Sequence, residues 1–172
     1  MIRVVMFDLG LTLLDANDRP FPQVKEALTK IAGFKTADGK KLRSCLISDF
    51  PAPEPPITPA KIKARFAEYL AILDGAGIRA NFEPTAKRVT LSIHAGVFKP
   101  DRKVFEKALQ RLGVSATLKE CLFITENADH VRAARQTLKM KALQFRSQGA
   151  PQFDFDNWAK APTLIANLLT AA

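Results

Sequence analysis

The sequence predicts a single α/β domain, residues 1–172, built as three layers: a parallel sheet of about five strands with helices on both faces. Two observations carry this. Short apolar runs alternate with segments whose apolar residues recur at the helical period, and such alternation implies parallel strands joined by helical crossovers. The apolar runs are also followed by polar groups suited to chemistry, namely Asp8, Ser48, Lys99 and Glu126. In an open parallel sheet the carboxyl ends of the strands share one edge, where ligands bind.

The elements follow in order. Ile2 to Phe7 is an unbroken apolar run and reads as a buried strand that ends on Asp8. Residues 12 to 21 are polar and turn-rich and suit a short flap or hairpin. Pro22 to Ala32 reads as a helix with Val24, Leu28 and Ile31 on one face and Gly33 at its end. Leu42 to Ile47 is a second strand, ending in Ser48-Asp49. Phe50 to Pro59 holds five prolines, which lack a donor and fix the backbone. It reads as a stiff surface loop, not a linker between domains. Thr58 caps a helix from Pro59 to about Leu73, with Ile62, Phe66, Tyr69, Leu70 and Leu73 facing inward. Arg88 to Ile93 reads as a third strand with His94, a structural histidine, at its end. Asp101 to Leu112 reads as a helix, Glu120 to Thr125 as a strand, Ala128 to Leu138 as a helix and Ala142 to Phe145 as a fifth strand. A last helix, Pro162 to Leu169, turns Leu164, Ile165, Leu168 and Leu169 inward.

Composition narrows the function classes. Apolar residues make up 47% and charged residues 25%, the balance of an ordinary globular domain. No apolar run approaches the ~20 residues that span a bilayer. The amino terminus enters a strand with no leader pattern, so the expected compartment is the cytoplasm. Cys45 and Cys121 lack metal-site spacing and read as buried free thiols. The net charge of +9 favours anionic partners. The basic residues are scattered, without a stripe of interleaved aromatics, which argues against dedicated nucleic-acid binding.

Four segments then point to a family. Asp8-Leu9-Gly10-Leu11-Thr12-Leu13 ends the first strand and Leu46-Ile47-Ser48 the second. Gly96-Val97-Phe98-Lys99-Pro100-Asp101 precedes a helix, and Phe123-Ile124-Thr125-Glu126-Asn127-Ala128-Asp129-His130 runs from a strand into one. Taken in order, these resemble the four motifs of the haloacid dehalogenase (HAD) superfamily, from Ile2 to Phe145. The resemblance implies a Rossmann-like (HAD-like) fold and a hydrolase, in most members a phosphatase. It implies Asp8 as the nucleophile that forms an aspartyl-phosphate, with Thr12 in the same motif. Ser48 and Asp49 would bind phosphoryl oxygens, and Lys99 would neutralise charge. Magnesium would be held by Asp8, the carbonyl of Gly10 and Glu126, with Asp129 and His130 behind it.

The departures from the family pattern set the expected chemistry. Gly10 stands where the family carries a second aspartate, the general acid for the leaving group. Such a group typically contributes about 100- to 10,000-fold. Leu11 replaces the family's glycine, and Glu126 stands where aspartate is usual, one methylene longer. Three outcomes are open: a hydrolase limited to good leaving groups such as acyl phosphates, a metal-independent dehalogenase-type hydrolase, or an inactive relative that binds a ligand or partner. Residues 15–46 and 49–97 hold one helix each, too little for a large cap. Capless relatives cover the site with a neighbouring subunit, as a homo-oligomer, or act on large substrates. The expected partner is a phosphorylated small molecule or macromolecule.

Overall fold

The computed structural model describes residues 1–146 and 152–170. Five parallel strands form one sheet in the order β3-β2-β1-β4-β5. They are β1 (Val4–Phe7), β2 (Arg43–Ser48), β3 (Val89–Leu91), β4 (Cys121–Thr125) and β5 (Lys141–Gln144). The central strand β1 pairs with β2 on one side and β4 on the other, and all four of its residues are buried. A strand hydrogen-bonded on both edges and covered on both faces needs apolar residues at every position, which explains the unbroken run.

Alternation along the strands sorts the core into two halves. Val5, Phe7, Leu46, Leu122 and Ile124 face one way, against α1 (Val24–Ala32), α2 (Pro59–Ala76) and α7 (Ala161–Thr170). Val4, Met6, Cys45, Ile47, Cys121 and Phe123 face the other, against α5 (Arg102–Leu112) and α6 (Ala128–Gln136). The chain winds outward from β1 through β2 to β3 with helices on the first face. It then crosses by α5 to β4 and continues to β5 on the second. The direction therefore reverses between β1 and β4, and Asp8 stands at that switch point, where a crevice opens in such sheets.

The expected three-layer fold is present, with local differences. The third strand is three residues long, and the residues after it form one helical turn, α4 (Ser92–Ala95). His94 therefore lies in a turn and not at a strand end. Two side chains fold the backbone over: Ser92 Oγ accepts from Phe50 N and donates to Phe50 O, and His94 Nδ1 accepts from Leu91 N. Helix α2 runs one turn further than expected, to a left-handed Gly77. Along it Tyr69, Leu73 and Ala76 are buried, while Phe66 and Leu70 are partly covered. Residues after it form a 3-10 turn, Arg79–Phe82, and a short helical turn, α3 (Thr85–Arg88), that bury Phe82 and Thr85. In α7, Leu164 and Leu168 are only partly covered, and Ala161, Pro162, Ile165 and Leu169 form the buried face. Both cysteines are buried free thiols, pushed up to about 12 by burial. No helix of the described residues is long and apolar enough to cross a membrane.

Candidate active site

The segment after β1 shapes the site. Leu9 O accepts hydrogen bonds from Thr12 N, Leu13 N and Leu14 N, which winds the chain into one tight turn. Leu14 then bridges Pro20, and Asp15 Oδ1 accepts from Asn17 N and Arg19 N, so the expected hairpin forms. Leu13 and Leu14 are fully buried and anchor the turn. Trp158 anchors it from the far end of the chain. Its ring is buried among Phe7, Phe145 and Phe155, and its Nε1 donates to Thr12 O at 2.9 Å.

Asp8 sits at the floor, almost wholly buried. Its Oδ1 accepts from Leu9 N at 2.8 Å and is 2.6 Å from Lys99 Nζ. Its Oδ2 accepts from Thr125 Oγ1 at 2.9 Å. Lys99 is itself buried and donates to Ile47 O at 3.2 Å. The loop that carries it is fixed by Asp49, whose Oδ1 accepts from Lys99 N at 2.9 Å. Asp49 is thus turned to the Lys99 backbone.

Ser48 reaches the same floor from β2. Its Oγ lies 2.5 Å from Tyr69 Oη, and both side chains are buried. Burial raises the tyrosine's titration well above its usual range, and the Asp8 charge acts in the same direction. The phenol stays protonated, a neutral partner for Ser48.

Glu126 arrives from the end of β4. Its Oε2 accepts from Thr12 Oγ1 at 2.8 Å and lies 3.1 Å from Thr125 Oγ1, whose one proton it shares with Asp8 Oδ2. Glu126 N donates back to Thr12 Oγ1 at 3.0 Å. Thr12 therefore clamps the β1 and β4 loops together through Glu126, and the hydroxyl of Thr125 stands between the two carboxylates. Among the described residues no three His, Cys, Asp or Glu cluster as a metal-holding group.

Helix α6 starts on Asn127, whose side chain accepts from Asp129 N and His130 N. That cap sets the helical phase. Asp129 points into solvent and pairs with Arg132 at 2.9 Å, away from the site. His130 is half-buried on the site side. Burial and the Lys99 charge hold its titration below the usual histidine range, against the opposing pull of Asp8, Asp49 and Glu126. Gly10 is exposed, and a Cβ built on it meets nothing within 4 Å. Leu11 keeps a left-handed backbone, φ 54°, and the residue is 49% exposed.

No family model matches the sequence, and no curated protein matches it. Solved structures do. The chain is similar to an L-2-haloacid dehalogenase from Xanthobacter autotrophicus, with a TM-score of 0.65 at 15% identity over 98% of this chain and 100% of that one. It is similar to a 2-haloacid dehalogenase from Pseudomonas syringae pv. Tomato DC3000, with a TM-score of 0.52 at 14% identity over 98% and 100%. It is also similar to a HAD phosphatase from Thermococcus onnurineus, with a TM-score of 0.55 at 16% identity over 85% of this chain and 58% of that one. The chain has the haloacid dehalogenase-like fold.

On this HAD-like scaffold the strand ends do meet. Asp8 and Lys99 form an ion pair, Glu126 joins Asp8 through Thr125, and Ser48 pairs with Tyr69, whose hydroxyl feels the Asp8 charge. Sequence reasoning missed Tyr69, Thr125 and Trp158. Thr125 carried a signal, a hydroxyl ending an apolar run next to an acid. Tyr69 carried none beyond its place on the inward face of a helix.

Proposed function

We propose that this chain is a hydrolase in which Asp8 attacks phosphorus and carries the phosphoryl group as an aspartyl-phosphate, on substrates whose leaving group departs unprotonated. The buried Asp8–Lys99 pair at the switch point is the observation that carries this reading. Acyl phosphates are the substrate class it favours.

The chemistry follows from the neighbours. Asp8 Oδ2 is held by Thr125 and Oδ1 by Leu9 N and Lys99, so the carboxylate has one orientation. Orienting a nucleophile supplies a large part of a rate enhancement. An ammonium has three protons. Those of Lys99 meet Asp8 and Ile47 O, and the third is left for a phosphoryl oxygen. Ser48, taking the Tyr69 proton, can turn its own toward the same group.

As Asp8 bonds to phosphorus, the bond from phosphorus to the acyl oxygen breaks and a carboxylate leaves with both electrons. No proton is needed, which suits Gly10. Water then attacks the aspartyl-phosphate, the Asp8 carboxylate leaves in turn, and inorganic phosphate and a proton are released.

The donors fit magnesium in kind: two carboxylates and a carbonyl are hard oxygen ligands, and magnesium commonly takes one or two carboxylates with waters and phosphate oxygens. Asp8, the Gly10 carbonyl and Glu126 would hold it, and when bound it would neutralise charge on the phosphoryl oxygens.

The absence of an acid at Gly10 also favours a second reading, displacement of halide from a 2-haloacid by Asp8, because halide leaves without a proton. One experiment separates them. Phosphate release from acetyl phosphate and chloride release from 2-chloropropionate are measured with magnesium and with chelator. The first reading expects magnesium-dependent phosphate release that Asp8→Asn abolishes. Turnover that survives Asp8→Asn sinks both.

A further inference from the structure

Among the described residues four large apolar side chains are exposed: Met1, Leu11, Ile57 and Phe98. Three of them belong to the segments that build the site. Leu11 lies three residues past Asp8, Phe98 immediately precedes Lys99, and Ile57 stands in the proline-rich loop that leaves Ser48 and Asp49. Ile57 and Phe98, 58% and 60% exposed, line one cavity of about 120 Å³ with Ala52, Pro53, Ile93 and Val97.

We propose that this cavity is a subsite for a small hydrocarbon group of the substrate, a phenyl or branched alkyl group attached close to its anionic head. The proposal rests on the reading of Asp8 and Lys99 as the anion-handling centre.

Three observations support it. The cavity lies at the same edge of the sheet as the site: its walls come from the segments that follow β2 and β3, and Phe98 in its lining directly precedes Lys99, whose side chain reaches Asp8. Its walls are held in place without an occupant. Ser92 Oγ ties both the N–H and the carbonyl of Phe50, Lys61 Nζ ties the carbonyl of Glu54, and the prolines restrict the loop between. A preformed wall spares the ordering cost of binding. Its chemistry is selective too. The lining carries no charged side chain, and its one hydroxyl, Ser92, is already engaged in both directions. A sugar or nucleobase would lose its hydrogen bonds here, whereas a hydrocarbon loses nothing. The volume is of the right order, since an apolar cavity of about 150 Å³ accommodates benzene. A cavity of about 350 Å³ lined by Arg3, Lys40, Lys41 and Arg43 lies by the amino end of β1, away from Asp8.

The test compares methylphosphonate with benzylphosphonate by calorimetry. Phosphonates carry the anionic head but no bond that Asp8 can cleave by phosphoryl transfer. We expect benzylphosphonate to bind roughly tenfold tighter or more, and the double variant Ile57→Ala/Phe98→Ala to erase the difference. Equal affinities, binding of neither, or a preference that survives the double variant overturns the subsite. Failure of the catalytic reading looks different: benzylphosphonate is still preferred, yet acetyl phosphate is not turned over.

Discussion

Asp8 Oδ1 and Lys99 Nζ lie 2.6 Å apart, with side chains only 11% and 2% exposed. A buried pair of this kind is a weak source of net stability, because desolvation offsets most of the attraction. Its removal is another matter. Lys99→Ala leaves the Asp8 charge largely buried with its cation gone. Urea unfolding should register a loss of about 3–5 kcal/mol. Adding Asp8→Asn to that variant should recover much of the loss, since no buried charge then remains. A single variant that costs under about 1 kcal/mol would mean that water reaches the pair.

Gly10 offers a test by restoration. Its Cβ position is open, and its φ is not in the left-handed range, so aspartate can be built there without strain. Gly10→Asp should leave Tm nearly unchanged. It should raise kcat/KM on an alkyl phosphate, whose leaving group needs a proton, by about 100-fold or more. The rate on acetyl phosphate should change little. An equal effect on both substrates would show that the new carboxylate acts by its charge and not as an acid.

Much of this site is legible in the sequence because strand ends in a parallel sheet share an edge. Once Ile2–Phe7, Leu42–Ile47 and Glu120–Thr125 are read as strands, the meeting of Asp8, Ser48 and Glu126 follows. What is not legible depends on rotation and on tertiary partners. Asp129 and His130 are adjacent, and only the Asn127 cap decides which of them turns inward. Tyr69 reads as an ordinary core aromatic, yet its hydroxyl ends on Ser48. Val89 to Ile93 is rich in strand formers, but the Ser92 and His94 side chains fold the second half into a turn, a tertiary override of local preference.

Leu11, which stands where the family resemblance places glycine, holds a left-handed conformation, φ 54°. For a side chain with a Cβ this costs roughly 1–2 kcal/mol, and at 49% exposure little burial offsets it. Leu11→Gly should remove that strain while giving back about 0.5–1 kcal/mol through the greater freedom of the unfolded chain. The net expectation is a gain of roughly 0.5–1 kcal/mol. For a chain of this size that raises Tm by about 1–4 °C, readable by calorimetry. A lower Tm would mean that Leu11 packs in solution against something that outweighs its strain.

His94 makes stability depend on acid. Burial lowers its titration from 6.5 to about 4, and the Arg111 and Lys107 charges on α5 act in the same direction. Its Nδ1 accepts from Leu91 N at 3.0 Å, and its ring meets Phe66 edge-on at 5.1 Å. A proton on Nδ1 would set two donors against each other. Above about pH 6.5 the imidazole is neutral in both the folded and unfolded chain, and its contribution is fully present. Between about 6.5 and 4 the unfolded chain binds a proton that the folded chain refuses. By linkage, stability falls as pH falls through that window. His130, lowered by burial and Lys99, contributes in the same direction. Chemical unfolding at stepped pH should therefore show an acid slope that His94→Gln makes shallower, since glutamine can still accept from Leu91 N but does not titrate. Parallel slopes for the two proteins would assign the acid sensitivity to His130 and the carboxylates instead.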